Sequence, residues 1–179
     1  MRRFILPTAI ASLMIAGCAS EQGPPAPTPR PSPGRPRPAP QAALPPADYV
    51  AQAASIDLFA IRSSELALTR AANPRVRDLA RRIMSDHAGT SGQLSLAGRR
   101  LNLLPSATLR SEHEAMMREL LSSTDFDRLY LSQQRRVHER AVVLHGAFAA
   151  RGSSPTLRPV AAAAAPIVRR HLQLLRGMQ

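Results

Sequence analysis

The sequence predicts an all-α, four-helix bundle. Four long segments carry apolar residues at three-, four- and seven-residue steps, the signature of one buried helical face. Pro, Gly or Asn-Pro breaks separate them. The Ala- and Leu-rich composition, with no Trp and few β-branched runs, sets aside a β-sandwich and most large α/β enzymes.

The first long helix runs from a cap at Asp48 to about Ala72, with Tyr49, Ala53, Ile56, Ala60, Ala67 and Leu68 on its apolar face. Asn73-Pro74 ends it, and Pro74 suits the first turn of the next helix. That second helix extends to about Leu101 on Val76, Leu79, Ile83, His87, Leu94, Ala97 and Leu101. Gly89 and Gly92 lie in its middle and should each weaken it by about 1 kcal/mol relative to Ala. A short helix is expected from Ser111 to Leu121, because Ser111 and Glu114 have the spacing of a capping box. The third long helix starts at a Thr124-Asp125 cap, buries Phe126, Tyr130, Val137, Ala141, Leu144 and Phe148, and closes at Gly152. The fourth runs from about Pro155 to Gly177 with Val160, Ala164, Ile167, His171, Leu174 and Leu175 on one face, and Pro166 should kink it. The connection between the second and third long helices is much the longest. One long crossover is the ferritin-like arrangement.

Two segments precede the bundle, which leaves residues 47–179 for one domain. Arg2 and Arg3 open a leader whose apolar stretch, Phe4 to Gly17, is too short to span a bilayer as a helix. It ends in Ile15-Ala16-Gly17, followed at once by Cys18, the single cysteine. Residues 1–17 therefore resemble a bacterial lipoprotein signal peptide. The resemblance implies lipidation (thioether diacylglyceryl and an amide-linked palmitate-type chain) at Cys18, and two chains anchor stably. Ala19, rather than Asp, after the cysteine implies sorting to the outer membrane, facing the periplasm. Residues 18–46 form a disordered linker: positions 19–46 hold 11 of the 17 prolines, which deny the backbone donors and favour a semi-rigid spacer of about 85 Å at about 3.1 Å per residue. A lone cysteine also excludes a disulfide framework and any multi-cysteine zinc site.

All 24 basic residues are Arg, and the net charge is +12. The domain keeps 19 Arg against 11 acidic residues, a balance that favours anionic partners. Four Arg pairs fall on the helices: Arg81-Arg82, Arg99-Arg100, Arg135-Arg136 and Arg169-Arg170. Anionic envelope components such as lipid headgroups or lipopolysaccharide phosphates are the partners they would contact. Nucleic acid is not expected, because the export address removes it and two Tyr and four Phe offer little base stacking.

A family resemblance covers nearly all of the folded part. Leu66-Ala67-Leu68, Asn73-Pro74 through Ala80, and Met84-Ser85-Asp86-His87 carry it in the first half. Phe126-Asp127 with Tyr130-Leu131, His138-Glu139, Pro166-Ile167-Val168 and His171-Leu172 carry it in the second. In this order and spacing, Tyr49 to Met178 resembles the bacterial domain-of-unknown-function family number 4142. The resemblance implies a ferritin-like bundle and export, and implies no general activity. Many members have Glu in the middle of the first helix where this chain has Ala60.

That departure bears on the chemistry. A ferritin-like di-iron site needs Glu on two helices and Glu-x-x-His on the other two. Glu three residues before His occurs nowhere in this chain, so di-iron chemistry is not expected. His87, His138 and His171 lie on three different helices near inward faces, with His138 at a flank. Together with Asp86 or Glu139 they have the residue types for one transition metal, and are otherwise hydrogen-bonded core histidines. His145 lies about 10.5 Å along the helix from His138, too far to share an ion, and is expected at an interface. His113, between Glu112 and Glu114, is expected at the surface. Gly89-Thr90-Ser91-Gly92 falls inside a helix and cannot form a nucleophile elbow. The leading expectation is thus a non-catalytic, lipid-anchored interaction or stress-related module with no cofactor. The alternative is a periplasmic mononuclear metal-binding or redox protein using the bundle histidines.

Overall fold

The computed structural model describes residues 44–178. Cys18, the leader and most of the proline-rich segment lie outside the described residues. Those described are helical: α1 (Pro46–Arg70), α2 (Pro74–Arg99), α3 (Ser111–Ser122), α4 (Phe126–Arg151) and α5 (Leu157–Arg176). No strand occurs among them, and no helix is long and apolar enough to cross a membrane.

Helices α1 and α2 form one antiparallel pair across the short Ala71–Asn73 link, and α4 and α5 form the other. The crossover carries α3 back alongside α1, with Ser55 bonded to His113 at one end and Arg70 bonded to the Leu120 carbonyl at the other. Helix α4 therefore runs antiparallel to α1, which brings Tyr49 onto Phe148 at a ring separation of 3.9 Å. Apolar clusters fill both ends: Tyr49, Leu94, Phe148 and Leu157 at one, and Ala67, Val76, Leu120 and Tyr130 at the other.

The helix ends differ from expectation in instructive ways. Pro74 opens α2 as expected, and Asn73 caps it, its side chain accepting from Arg75 N at 2.9 Å. Asp48 does not cap α1: Pro45 is the N-cap and Pro46 opens the helix. Asp48 instead sits in the first turn, where a negative charge favours the helix dipole. Ser111 is not a cap either. Ser55 Oγ takes the Arg110 N–H at 2.9 Å, and the helix begins one residue earlier than a capping box requires. Asp125 holds the N-cap position of α4 as expected, but its carboxylate pairs with Arg128 and makes no cap hydrogen bond. Its neighbour Asp127 accepts from Ala72 N and Asn73 N at 3.1 and 2.8 Å, fastening the α1–α2 turn to the start of α4. Gly152 does end α4, but with φ −59 rather than in a left-handed turn. The Phe148 ring lies over it, and a Cβ there would come within 2.6 Å of that ring.

The α2 terminus has the left-handed cap, on Asn102 (φ 55). Leu103 N bonds Gly98 O at 2.9 Å and Asn102 N bonds Arg99 O at 3.3 Å, the paired bonds of a Schellman motif. This turn folds the Leu103 carbonyl onto the Gly98 Cα, where a Cβ would clash with backbone. Gly89 and Gly92 have no such reason: a Cβ at either meets nothing within 4 Å, and the helix passes through both. Urea unfolding should therefore show opposite signs. Gly98→Ala is expected to cost about 1–3 kcal/mol through overpacking, and Gly89→Ala to gain up to about 1 kcal/mol. Equal effects would contradict the turn geometry.

The α5 face is rotated from the expected one. Ala161, Ala164, Ala165, Val168, His171, Leu172 and Leu175 are buried, whereas Leu174 is 40 % exposed. The Ala-rich run allows α5 to approach its neighbours closely on that side, and the helix continues through Pro166.

Candidate metal centre

Midway along the bundle, the apolar stripe of each long helix is interrupted by polar side chains. On α1 the stripe Ala53-Ile56-Ala60 includes Asp57, which is buried. On α2, His87 and Thr90 follow Ile83 at helical spacing; on α4, Gln134 and His138 flank Val137; on α5, His171 lies between Val168 and Leu175. Ile83, Ala60, Leu79 and Leu175 pack on one side of this layer. Ile56, Phe59, Val137, Ala141 and Val168 pack beside it.

His87, His138 and His171 are all fully buried, and one ring nitrogen from each lies within 4.8 Å of those of the other two. His87 Nε2 is 3.2 Å from His138 Nε2, which is 3.3 Å from His171 Nδ1. Three imidazole nitrogens held about 2.0–2.1 Å from one ion would stand about 3.3–3.6 Å apart. Two of the three edges are close to that length and the third is within 4.8 Å, so the set has the dimensions of a single-ion site.

The opposite ring nitrogens define the tautomers. His87 Nδ1 is 2.8 Å from Asp57 Oδ1, His138 Nδ1 is 2.8 Å from the Gln134 carbonyl, and His171 Nε2 is 2.9 Å from Asp86 Oδ2. Each of these partners accepts, so each outer nitrogen carries its hydrogen. The inner nitrogens then present lone pairs to one another. Like lone pairs at 3.2 Å repel unless a cation, a metal ion or a shared proton, stands between them. Two of the arms are carboxylate–histidine pairs, the arrangement that orients an imidazole and raises its basicity toward a metal. Thr90 Oγ1 donates to the same Asp57 oxygen at 3.1 Å.

Electrostatics support neutral imidazoles at His138 and His171. Burial, reinforced by His87, holds His138 well below the ordinary histidine range. Burial pushes His171 down to about 4, although the hydrogen bond to Asp86 opposes it.

The other two histidines are also buried, His113 against the expectation of a surface position. His113 is 2 % exposed because Ser55 Oγ bonds its Nδ1 at 2.7 Å and the Phe59 ring stacks on it. His145 faces Tyr49, whose hydroxyl is 3.1 Å from Nδ1, and burial pushes it down to about 4. Neither joins the trio. Glu139 points outward, half-exposed, 3.7 Å from Arg176.

The Arg pairs divide. Arg82, Arg99, Arg136, Arg169 and Arg170 are exposed; Arg81 is exposed and paired with Asp78. Arg100 follows α2 in the Schellman turn. Arg135 is half-buried and donates to the Leu175 and Met178 carbonyls at 3.3 and 3.5 Å, closing the end of α5.

Asp57 is the residue that sequence reasoning missed. Its signal was a lone carboxylate in register with the Ala53–Ala60 stripe. It lies one turn before Ala60 and bonds His87, so α1 supplies a carboxylate to the centre.

The family model described as Domain of unknown function (DUF4142) matches residues 32–178. The chain belongs to this family. No curated protein matches this DUF4142 chain. Among solved structures, CopM in the Cu(II)-bound form is similar, with a TM-score of 0.64 and 17 % identity over 75 % of this chain and 95 % of CopM. CopM in the Cu(I)-bound form gives 0.62 and 16 %, over 73 % and 92 %. At such identity the likeness establishes a shared helical fold.

Proposed function

We propose that this DUF4142 protein binds one transition-metal ion through His87 Nε2, His138 Nε2 and His171 Nδ1, and that the ion is copper. The observation that carries this reading is the convergence of three buried lone pairs whose opposite N–H groups are all committed to acceptors. Imidazole donors without thiolate suit copper, zinc, nickel or iron, and among divalent ions copper binds such sites most strongly. The similar CopM bundle carries copper as Cu(II) and Cu(I). Asp57 and Asp86 together balance the charge of a dication. The main surface cavities do not include the three histidines, which favours holding an ion over turning over a substrate at an open position.

Titrating the full chain with Cu(II), or with Cu(I) under reductant, should show about one tightly bound ion, with affinity falling as acid protonates the imidazoles. Full occupancy in the His87→Ala/His138→Ala/His171→Ala chain, or no binding in the parent, would sink the assignment.

The proposed address is the one the leader implies: export, a lipid on Cys18, and the outer-membrane surface facing the periplasm. There the exposed arginines on α2 and α5 would meet anionic envelope components. Membrane association unchanged in Cys18→Ser and insensitive to salt would refute both.

A further inference from the structure

The seam between α1 and α4 is covered by α3 along only part of its length. Because α3 begins at Ser111, opposite Ser55, the stretch toward the α1 N-terminus and the α4 C-terminus stays open as a groove of about 820 Å³. The metal centre does not line it. Its floor is apolar: Ile56, Leu144, Phe148 and Val143, the last 70 % exposed. Its rim carries Arg110, Arg136, Arg140 and Arg151 against two acids, Glu112 and Glu139. Glu112 is already bonded to Arg140, and Glu139 faces Arg176. The rim is therefore cationic.

At the inner end, the buried His113 presents a fixed donor. Ser55 Oγ accepts from Arg110 N at 2.9 Å, which leaves its own hydrogen for His113 Nδ1 at 2.7 Å. The remaining hydrogen of the ring is then on Nε2. That atom makes no hydrogen bond among the described residues; the nearest acidic oxygen, on Glu112, is 3.9 Å away. The α3 N-terminus, with no side-chain cap, opens at the same place, so its first N–H groups add to the positive field.

We propose that this groove binds an anionic amphiphile, a single carboxylate or phosphate head on an apolar chain. The head would sit between Arg110, Arg136 and His113 Nε2, and the chain along Val143, Leu144 and Phe148. The volume is of the size that takes such ligands. The segment preceding Leu44 carries Arg30, Arg35 and Arg37, so its charge argues against it as the occupant.

The test is calorimetric titration of the full chain with dodecanoate, dodecyl phosphate and dodecanol below their aggregation concentrations. Both anions should bind at one saturable site, and dodecanol at least tenfold more weakly. Arg136→Gln and the surface change Val143→Glu should each weaken dodecanoate at least tenfold, while Arg118→Gln, exposed on α3 outside the groove, leaves it unchanged. Preference between carboxylate and phosphate distinguishes a free fatty acid from a phospholipid source. Equal binding of dodecanol, equal losses in Arg118→Gln, or non-saturable uptake would each overturn the proposal.

Discussion

Asp57→Asn is expected to weaken copper binding by about 10–100-fold, the usual cost of removing a charged partner behind a metal-ligating histidine. It should do so without unfolding the chain. The Asn side chain keeps an oxygen for the His87 Nδ1 hydrogen, at 2.8 Å in the parent, and for Thr90 Oγ1 at 3.1 Å. What disappears is a buried negative charge. In the metal-free chain that charge is expensive to keep away from water, so a neutral replacement is expected to leave urea stability unchanged or to raise it. The two readouts therefore move apart: affinity falls while stability holds. A purely structural Asp57–His87 pair predicts the reverse, a loss of stability with no special effect on copper. Asp86→Asn is a graded comparison. Its side chain is 34 % exposed, and solvent already screens it, so its effect should be the smaller of the two.

The sequence revealed the helices far better than it revealed the site. Helix periodicity places a residue on a face, and three of the four long faces came out as read. The fourth failed because α5 carries alanine at all five positions 161–165, and alanine does not say which side packs. The identity of the three histidines was visible because each interrupts an apolar stripe. Their convergence was not, since a rotation of one helix by a fraction of a turn separates nitrogens that stand 3.2 Å apart here. Asp57 gave no decisive local sign of its role, since a single carboxylate beside Ala53, Ile56 and Ala60 reads the same at the edge of an apolar stripe as within it. Two helix starts differ from the reading: Pro45 rather than Asp48 is the N-cap of α1, and Arg110 rather than Ser111 that of α3, where the distant Ser55 takes the Arg110 N–H. Such long-range competition leaves no mark on local sequence.

Acidification should unfold the metal-free chain well above the carboxylate range. Burial is the main cause in all four cases. It depresses His113 and His138, and it brings His145 and His171 to about 4. His145 also feels Asp57, which opposes the shift, and His87, which adds to it. An unfolded chain protonates its histidines near 6.5. Between about pH 6.5 and 4 the unfolded state thus binds more protons than the folded one, and stability falls as pH falls. A histidine shifted from 6.5 to about 4 removes on the order of 3 kcal/mol by the bottom of that window. Two such residues remove about 6, comparable to the whole stability of a marginal domain at roughly 5–15 kcal/mol, and His113 and His138 act in the same direction. Circular dichroism should then show the metal-free chain unfolding between pH 4 and 6, with its urea midpoint already falling from pH 7 to 5. A urea midpoint that stays flat down to pH 4.5 would show that the imidazoles are not held neutral. Copper should move the transition to lower pH, because protons must first displace the ion from His87, His138 and His171. That displacement ties the acid limb to the metal centre: in the triple histidine variant, copper should leave the transition where it was.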